Sequence, residues 1–337
     1  MIKAAALRAL TSACGHLPDR PIFFEWRPLA IHPAPIPFDA ARARTLEWVM
    51  QNGTNPLNQS TLMQGDYGRV TLNLTARPLV EHAHSEYNCI FKIGGGDTPF
   101  RVDGKPILLE DNTALLINPW QPHAKLASRD GPTVALTLLL EGAWLSGVLG
   151  LNAPLRAALF QQTRVLLTPE VREQADRLAL SMSAGVENDD SEREGWLRDL
   201  VLALARSYAN LADGHRLLRA ERPMDTRVVH AIRLIRMSAA QNPNLDDIAR
   251  RVGLSRSRFF EQFKHCVGAS PQQYLDWERM ALATRMLARP NTTVAQVSDQ
   301  LEFSAPSHFA RFFSQHIGLA PSEFKRGLMN PELDEAA

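Results

Sequence analysis

The sequence is poor in cysteine, with three in 337 residues, Cys14, Cys89 and Cys266. They are odd in number and widely separated, which argues against a disulfide framework and for a reducing, cytoplasmic setting. Long apolar runs are missing as well. No stretch approaches the roughly 20 residues that a membrane span needs, so no membrane partner is expected. The opening Met1–Cys14 has a short apolar stretch, but Arg8 interrupts it and Pro18-Asp19-Arg20 follows, so a cleaved export signal is not expected. A strong charge of one sign is also lacking, since the formal net charge is only +1.

What is present is the composition of a soluble globular protein, 45% hydrophobic and 22% charged. A chain of 337 residues exceeds one ordinary core and predicts two domains with a connecting region. The small net charge hides an uneven distribution. Glu221–Asn330 carries 15 Lys and Arg against 10 Asp and Glu, which leaves 22 against 26 for the remainder. Positive charge therefore collects in the C-terminal third, as a domain facing a polyanion requires.

Between about Gly68 and Leu140 the chain reads as short strands: Val70–Leu74, Tyr87–Ile93, Phe100–Val102, Ile107–Leu109, Ala114–Ile117 and Val134–Leu140. Gly94-Gly95-Gly96-Asp97, Asp103-Gly104 and Asp130-Gly131-Pro132 punctuate them as turns, and this spacing predicts an all-β barrel or sandwich. Before them, Pro28, Pro33, Pro35 and Pro37 mark an extended arm, and Asp39–Asn52 reads as a helix. After Leu140 apolar residues recur at three- and four-residue steps in Val171–Met182 and Trp196–Leu211, which predicts helices broken by Val186–Ser191. These helices either pack on the barrel edge or form a self-association surface, making a homodimer. Ala212–Met224, with Gly214, Pro223 and several Arg, is the expected linker. The resulting plan is an arm at 1–38, a β domain at 39–150, a helical dimerisation or coupling segment at 151–211, a linker at 212–226, an all-α domain at 227–328 and a tail at 329–337. The fold class is α+β multidomain.

The most specific feature is an internal repeat. Ile248-Ala249-Arg250-Arg251-Val252-Gly253-Leu254-Ser255 is echoed by Val297-Ser298-Asp299-Gln300-Leu301-Glu302-Phe303-Ser304 at an offset of 49. Phe259, Phe263, Gly268 and Pro271 recur as Phe309, Phe313, Gly318 and Pro321 at an offset of 50, so one residue enters the second unit just after its turn. Each unit reads as two helices at a steep angle joined by a short turn. In the first, Asn244 caps a helix over Leu245–Val252, Gly253 turns the chain and Ser255 caps the next helix. Phe259 and Phe263, four apart, then face inward and turn Ser257, Arg258, Glu261 and Gln262 outward. In the second, Ser304 or Ala305 begins the helix, Phe309 and Phe313 face inward, and Ser307, His308 and Arg311 face out. A helix from Ser270-Pro271 to Arg289-Pro290-Asn291, with Tyr274, Leu275, Met280, Ala283 and Leu287 as its apolar stripe, sets the distance and phase between the units.

These residues resemble the AraC/XylS regulators over Val228–Arg326. The resemblance is carried by Leu245-x-x-Ile248-Ala249-x-x-Val252-Gly253-Leu254-Ser255, Phe259-x-x-x-Phe263-Lys264, Gly268-x-Ser270-Pro271, Ser307-His308-Phe309-x-Arg311-x-Phe313 and Gly318-x-x-Pro321-x-x-Phe324-Lys325-Arg326. It implies a transcription regulator that is not an enzyme, inserts two helices into successive major grooves of double-stranded DNA, and responds to a small-molecule effector, with RNA polymerase as a further partner. Arg258 and Arg311 are the expected base readers, with Ser257, Gln262, Ser307 and His308 beside them. Arg256, Lys264 and Arg326 are expected on phosphates, and Lys325 is a further DNA contact. Three positions depart from the family's pattern. Glu302 stands where a turn glycine is usual, and Phe260 and Glu261 stand where relatives often carry polar or basic contacts. Phe260 is suited to thymine methyl groups, and Glu261 either accepts from cytosine or orients Arg258.

In the β region, His82-Ala83-His84 precedes a strand, and alternation puts His82, His84, Glu86 and Asn88 on one face. His123 follows in Asn118-Pro119-Trp120-Gln121-Pro122-His123, read as a turn. This pattern resembles the cupin barrel, which AraC-like sensor domains share. Three imidazoles can hold a divalent metal. Metal-binding cupins add a Glu four or five residues after the second His, where this chain has Asn88 and Cys89. The histidines therefore either hold a metal or line an effector pocket walled by Glu86, Tyr87 and Trp120. The alternative function is a metal-dependent cupin enzyme fused to a DNA-binding domain.

Overall fold

Alternating apolar residues decide how the strands stack, because successive side chains in a strand leave by opposite faces. The computed structural model describes residues 59–151, 155, 158–183, 190–210 and 225–328. Its strands are β1 (Gln59–Gly65), β2 (Gly68–Thr75), β3 (Tyr87–Gly95), β4 (Thr98–Val102), β5 (Lys105–Leu109), β6 (Thr113–Ile117), β7 (His123–Lys125), β8 (Thr133–Leu140) and β9 (Arg164–Leu166). They form a six-stranded sheet in the order β1-β2-β8-β3-β6-β9 and a three-stranded sheet in the order β5-β4-β7. Every pairing between these strands is antiparallel. The strand spacing leaves a barrel or a sandwich open; the result is two sheets rather than the closed barrel that the cupin resemblance implies.

Six strands match the sequence reading; β1, β7 and β9 do not. The last two are three residues long, too short for any period to show, and β1 (QSTLMQG) has little apolar alternation. His123, expected in a turn, opens β7, paired with Val102 of β4, and its backbone also exchanges two hydrogen bonds of 2.9 Å with His82.

One face of the large sheet carries Val70, Leu72, Tyr87, Cys89, Phe91, Leu136 and Leu138, all nearly or fully buried. Following the sheets are α1 (Gly142–Val148), α2 (Pro169–Ser183) and α3 (Asp190–Tyr208), and the sheet face shares one core with Val171, Ala175 and Leu178 of α2 and Leu197 and Leu204 of α3. A buried ion pair fastens α2 down. Arg172 donates to Asp176 at 2.6 and 2.8 Å and to the Lys92 carbonyl of β3 at 2.8 Å. The opposite face, with Ile90 and Ala135, meets Phe100, Val102 and Leu109 of the small sheet.

The helical domain comprises α4 (Thr226–Ser238), α5 (Leu245–Arg251), α6 (Arg256–Val267), α7 (Pro271–Leu287), α8 (Val294–Gln300), α9 (Pro306–Ile317) and α10 (Pro321–Leu328). It has two cores. One gathers Phe259, Phe263, Tyr274 and Leu275; the other gathers Met280, Leu287, Phe309, Phe313 and Phe324. Helix α7 contributes to both, so one rigid rod joins the two units. Arg279, on that rod, donates to the carbonyls of Ala239 and Leu301, both at 2.9 Å, and ties the units together through backbone. Among the described residues no helix is long and apolar enough to cross a membrane. The expected arm, the helix at 39–52, Ala212–Met224 and the tail at 329–337 lie outside the described residues.

Candidate functional site

Both helical units are built by the same local chemistry. Asn244 caps α5 by accepting from the Asp246 N–H at 2.8 Å, and Ser255 caps α6 by accepting from the Arg258 N–H at 3.4 Å. Thr293 and Gln296 form a reciprocal capping box at the start of α8. Ala305 is the N-cap of α9 and makes no side-chain cap; Pro306 starts the helix, while the Ser304 hydroxyl lies 2.7 Å from Nδ1 of His308. The two turns share one left-handed backbone position. Gly253 sits at φ 71°, and Glu302 occupies the corresponding left-handed position at φ 53°.

Phe259, Phe263, Phe309 and Phe313 are all fully buried. That burial turns the other faces of α6 and α9 to solvent. Arg256, Ser257, Arg258, Glu261 and Lys264 are exposed on the first, and Ser307, His308 and Arg311 on the second. Arg258 donates to Glu261 at 3.0 Å, the orienting role that was one of the two readings of that acid. Arg256 pairs with Asp246 across the turn and lies 4.9 Å over the ring of half-buried Phe260. Gln262 is half-buried and bonds to Cys266 within its own helix. Lys325 is half-buried and donates to the Thr292 carbonyl, while Arg326 is exposed.

Between the two sheets lies a cavity of about 370 Å³. Its walls include Thr71 and Asn73 of β2, Asn88 and Ile90 of β3, and His123 and Lys125 of β7, with His82, His84 and Glu86 at one end. Helix α7 covers the mouth through Gln273, Asp276, Trp277 and Met280, and His316 at the end of α9 joins them. The same contact is fixed by hydrogen bonds between the domains. The Trp277 indole N–H donates to Glu86 at 3.2 Å, and the Val80 N–H donates to the Gln315 carbonyl at 3.1 Å.

The cavity carries polar side chains that are incompletely satisfied. Asn73 Oδ1, His84 Nε2 and Asn88 Oδ1 are buried without a hydrogen-bond partner. Each such atom costs about 1–3 kcal/mol unless something occupies the space before it. Burial lowers the Lys125 ammonium to about 8. His82 falls to about 3, first through burial and then through the neighbouring His84. His123 falls well below its usual range, again mainly through burial. These two rings are therefore neutral near pH 7 and offer lone pairs rather than charge.

Of the residues expected to meet an effector, His82, His84, Glu86 and His123 line this cavity. Tyr87 and Trp120 do not, which corrects that part of the expectation. Tyr87 leaves β3 by the opposite face, is fully buried in the helix-covered core, and packs edge-on to Phe160. Trp120 turns out to the helical domain and stacks on Tyr274. The residues that sequence reasoning missed are Gln273, Asp276, Trp277 and His316. None of them belongs to the apolar stripe read on α7 or to the Phe anchors of α9, and only the docked sheets give them something to face.

Residues 248–327 match the helix-turn-helix domain family. The chain is 29% identical over 98 residues to the lactose operon transcription activator of Staphylococcus xylosus, covering 29% of this chain and 35% of that protein. It is 31% identical over 106 residues to the arabinose operon regulatory protein of Escherichia coli K12, covering 31% and 36% respectively. The chain thus spans about a third of the length of these curated relatives. Among solved structures, apo ToxT from Vibrio cholerae aligns over 80% of this chain and 97% of its own, at 11% identity and a TM-score of 0.49. Two capped helix pairs with buried Phe anchors, and relatives among the operon regulators over this length, identify residues 248–327 as an AraC-type helix-turn-helix domain.

Proposed function

We propose that the chain is a sequence-specific DNA-binding transcription regulator whose engagement of DNA responds to a small molecule held between the sheets. The observation that carries this reading is the paired burial of Phe259 and Phe263 and of Phe309 and Phe313, which leaves Arg258 and Arg311 outward on two helices joined by one rod. Each helix is sized for a major groove, and successive grooves on one face of DNA lie about 34–36 Å apart. The effector part of the reading is supported by the unsatisfied polar atoms of the cavity, which call for a ligand with hydrogen-bonding groups. Coupling follows from the walls. Because α7 forms the mouth of the cavity and also the rod between the reading helices, a ligand that touches Trp277 or Gln273 acts on the rod directly. Homodimerisation through α2 and α3, and contact with RNA polymerase, belong to the same reading.

An enzyme reading is weaker. Asn88 Nδ2 stands 3.2 Å from Nε2 of His123, in the place where metal-binding cupins carry a Glu. A neutral amide neither takes nor gives up a proton near pH 7, so the cluster has no general base there.

Footprinting of the purified chain on its own upstream DNA tests the proposal. Protection of two successive turns per subunit, lost in Arg258→Ala and Arg311→Ala with folding intact, is the expected result. Unaltered affinity and base preference in both variants would sink the residue roles, and absence of any protected region would sink the DNA-binding function. A thermal-shift screen of small metabolites tests the effector arm.

A further inference from the structure

We propose that the chain binds one divalent transition metal ion on Nε2 of His82, His84 and His123, and that His316 of the second recognition helix supplies a fourth ligand. The ion would then tie that helix to the sheets.

The three rings meet for a backbone reason. His82 and His123 are antiparallel bridge partners, so their side chains leave by the same face, and His84 returns to that face two residues later. Ring centroids lie 4.3 Å apart for His82 and His123 and 4.9 Å for His84 and His123. One ligand atom from each residue lies within 4.8 Å of the others. A tetrahedral ion with Zn–N bonds of about 2.0–2.1 Å needs nitrogens roughly 3.4 Å apart, so small ring rotations close the site.

The tautomers are already those that a metal requires. Nδ1 of His82 lies 2.7 Å from the Val80 carbonyl, Nδ1 of His84 lies 3.1 Å from the Glu86 carbonyl, and Nδ1 of His123 lies 2.8 Å from the Gln121 carbonyl. A carbonyl oxygen only accepts, so each Nδ1 carries the proton and each Nε2 keeps its lone pair. Ligating histidines are held in this way by their outer partners. His84 Nε2 is buried and has no partner, while Nε2 of His123 accepts from the Asn88 amide at 3.2 Å, a bond that the ion would displace. Three imidazole acceptors gathered at one end of the cavity, one of them unpaired, are the complement of a cation that imidazoles prefer, which is Zn²⁺ or a neighbour in the first transition row.

The link to the helical domain rests on a separate observation. His316 stands with its ring centroid 6.3 Å from that of His82, and its Nδ1 lies 2.8 Å from the Phe312 carbonyl, so its Nε2 is also left as an acceptor. The hydrogen bond from Val80 to Gln315 holds the two segments of this contact together one residue away from His316 and two from His82. A fourth imidazole is thereby delivered from α9, the helix that carries Arg311.

The experiment uses the full chain after dialysis against chelator, titrated with Zn²⁺ by calorimetry and with Co²⁺ by visible absorption. The expected result is one ion per chain and the intense bands of tetrahedral Co²⁺. His82→Gln and His123→Gln, checked for native circular dichroism and melting, should each abolish stoichiometric binding. His316→Ala should keep one ion but weaken it by about tenfold or more, with a changed Co²⁺ spectrum. Zn²⁺ should also slow amide exchange at Gln315–Gly318 in the native chain and not in that variant. No stoichiometric ion, or binding indifferent to His82→Gln, overturns the site. An unchanged spectrum and affinity in His316→Ala overturns the link between domains. None of these outcomes depends on DNA binding, so the regulator reading stands or falls separately.

Discussion

Trp120 of the β domain stacks on Tyr274 of α7, with ring centroids 5.0 Å apart and planes 25° from parallel. Trp277 closes the third side, edge-on to Trp120 at 5.1 Å. The three rings join the sheet domain to the first helix-turn-helix unit, while Val80, Glu81 and Glu86 join it to the rod and the second. Such ring pairs contribute about 0.5–1.5 kcal/mol each beyond buried area. Trp120→Ala should therefore weaken the joint by about 1–3 kcal/mol, seen as earlier protease cleavage between the domains while each domain's own melting is kept. Equal protease resistance would remove the aromatic joint from the account.

Glu302 holds a left-handed backbone angle, φ 53°, that glycine holds in the first unit. A side chain at that angle costs roughly 1–2 kcal/mol, offset in part by the lower unfolded-state entropy of a non-glycine residue. Glu302→Gly is expected to stabilise the second unit by about 0.5–1 kcal/mol, and Gly253→Ala to destabilise the first by about 1 kcal/mol or more. Urea titration of both variants measures this; a destabilised Glu302→Gly would mean that its carboxylate does more than occupy the turn.

Arg311 and Lys264 are exposed and have no ion-pair partner among the described residues. If Arg311 reads a base, Arg311→Ala should cost about 1–3 kcal/mol on the preferred site and relax specificity at one position. Lys264→Ala should instead weaken all sequences alike and lower the salt slope by about 1. Affinity measured against salt on matched and mismatched duplexes separates the two roles, and an exchange of behaviours would reverse the assignment.

Arg172 and Asp176 are buried together beneath β3. Removing the acid strands a buried guanidinium, so Asp176→Ala should cost about 3–5 kcal/mol. Replacing both residues by Met and Leu should cost far less. Paired chemical denaturation curves test the asymmetry, which would vanish if water reached the pair.

Cys89 is fully buried, and burial pushes its thiol up to about 12. Its ordinary value is near 9, so between pH 9 and about 12 the unfolded chain ionises this group and the folded chain does not, which lowers stability as pH rises. Iodoacetamide at pH 8 should label half-exposed Cys266 and spare Cys89 until the chain is unfolded. Rapid labelling of Cys89 in the native protein would contradict the packing of this sheet face.

The helical domain was legible because its signals are local. Caps at Asn244, Ser255 and Thr293, phenylalanines four apart and a repeat of about fifty residues each act within one or two helices. The longer strands were legible for the same reason, through alternation and turn glycines. His82, His84, Glu86 and Asn88 do line one cavity, as alternation suggested, although β3 begins only at Tyr87 and the segment before it is no strand.

Sequence alone therefore determined the two helix-turn-helix units, their outward arginines and the set of histidines that share a face. Tertiary structure alone decided that the strands close as two sheets, that His123 pairs with His82, that Tyr87 and Trp120 turn away from the cavity, and that α7 and His316 complete it. The reason is physical: helix period and capping are set by neighbours a few residues apart, whereas strand pairing and domain docking depend on contacts between segments as distant as Glu86 and Trp277.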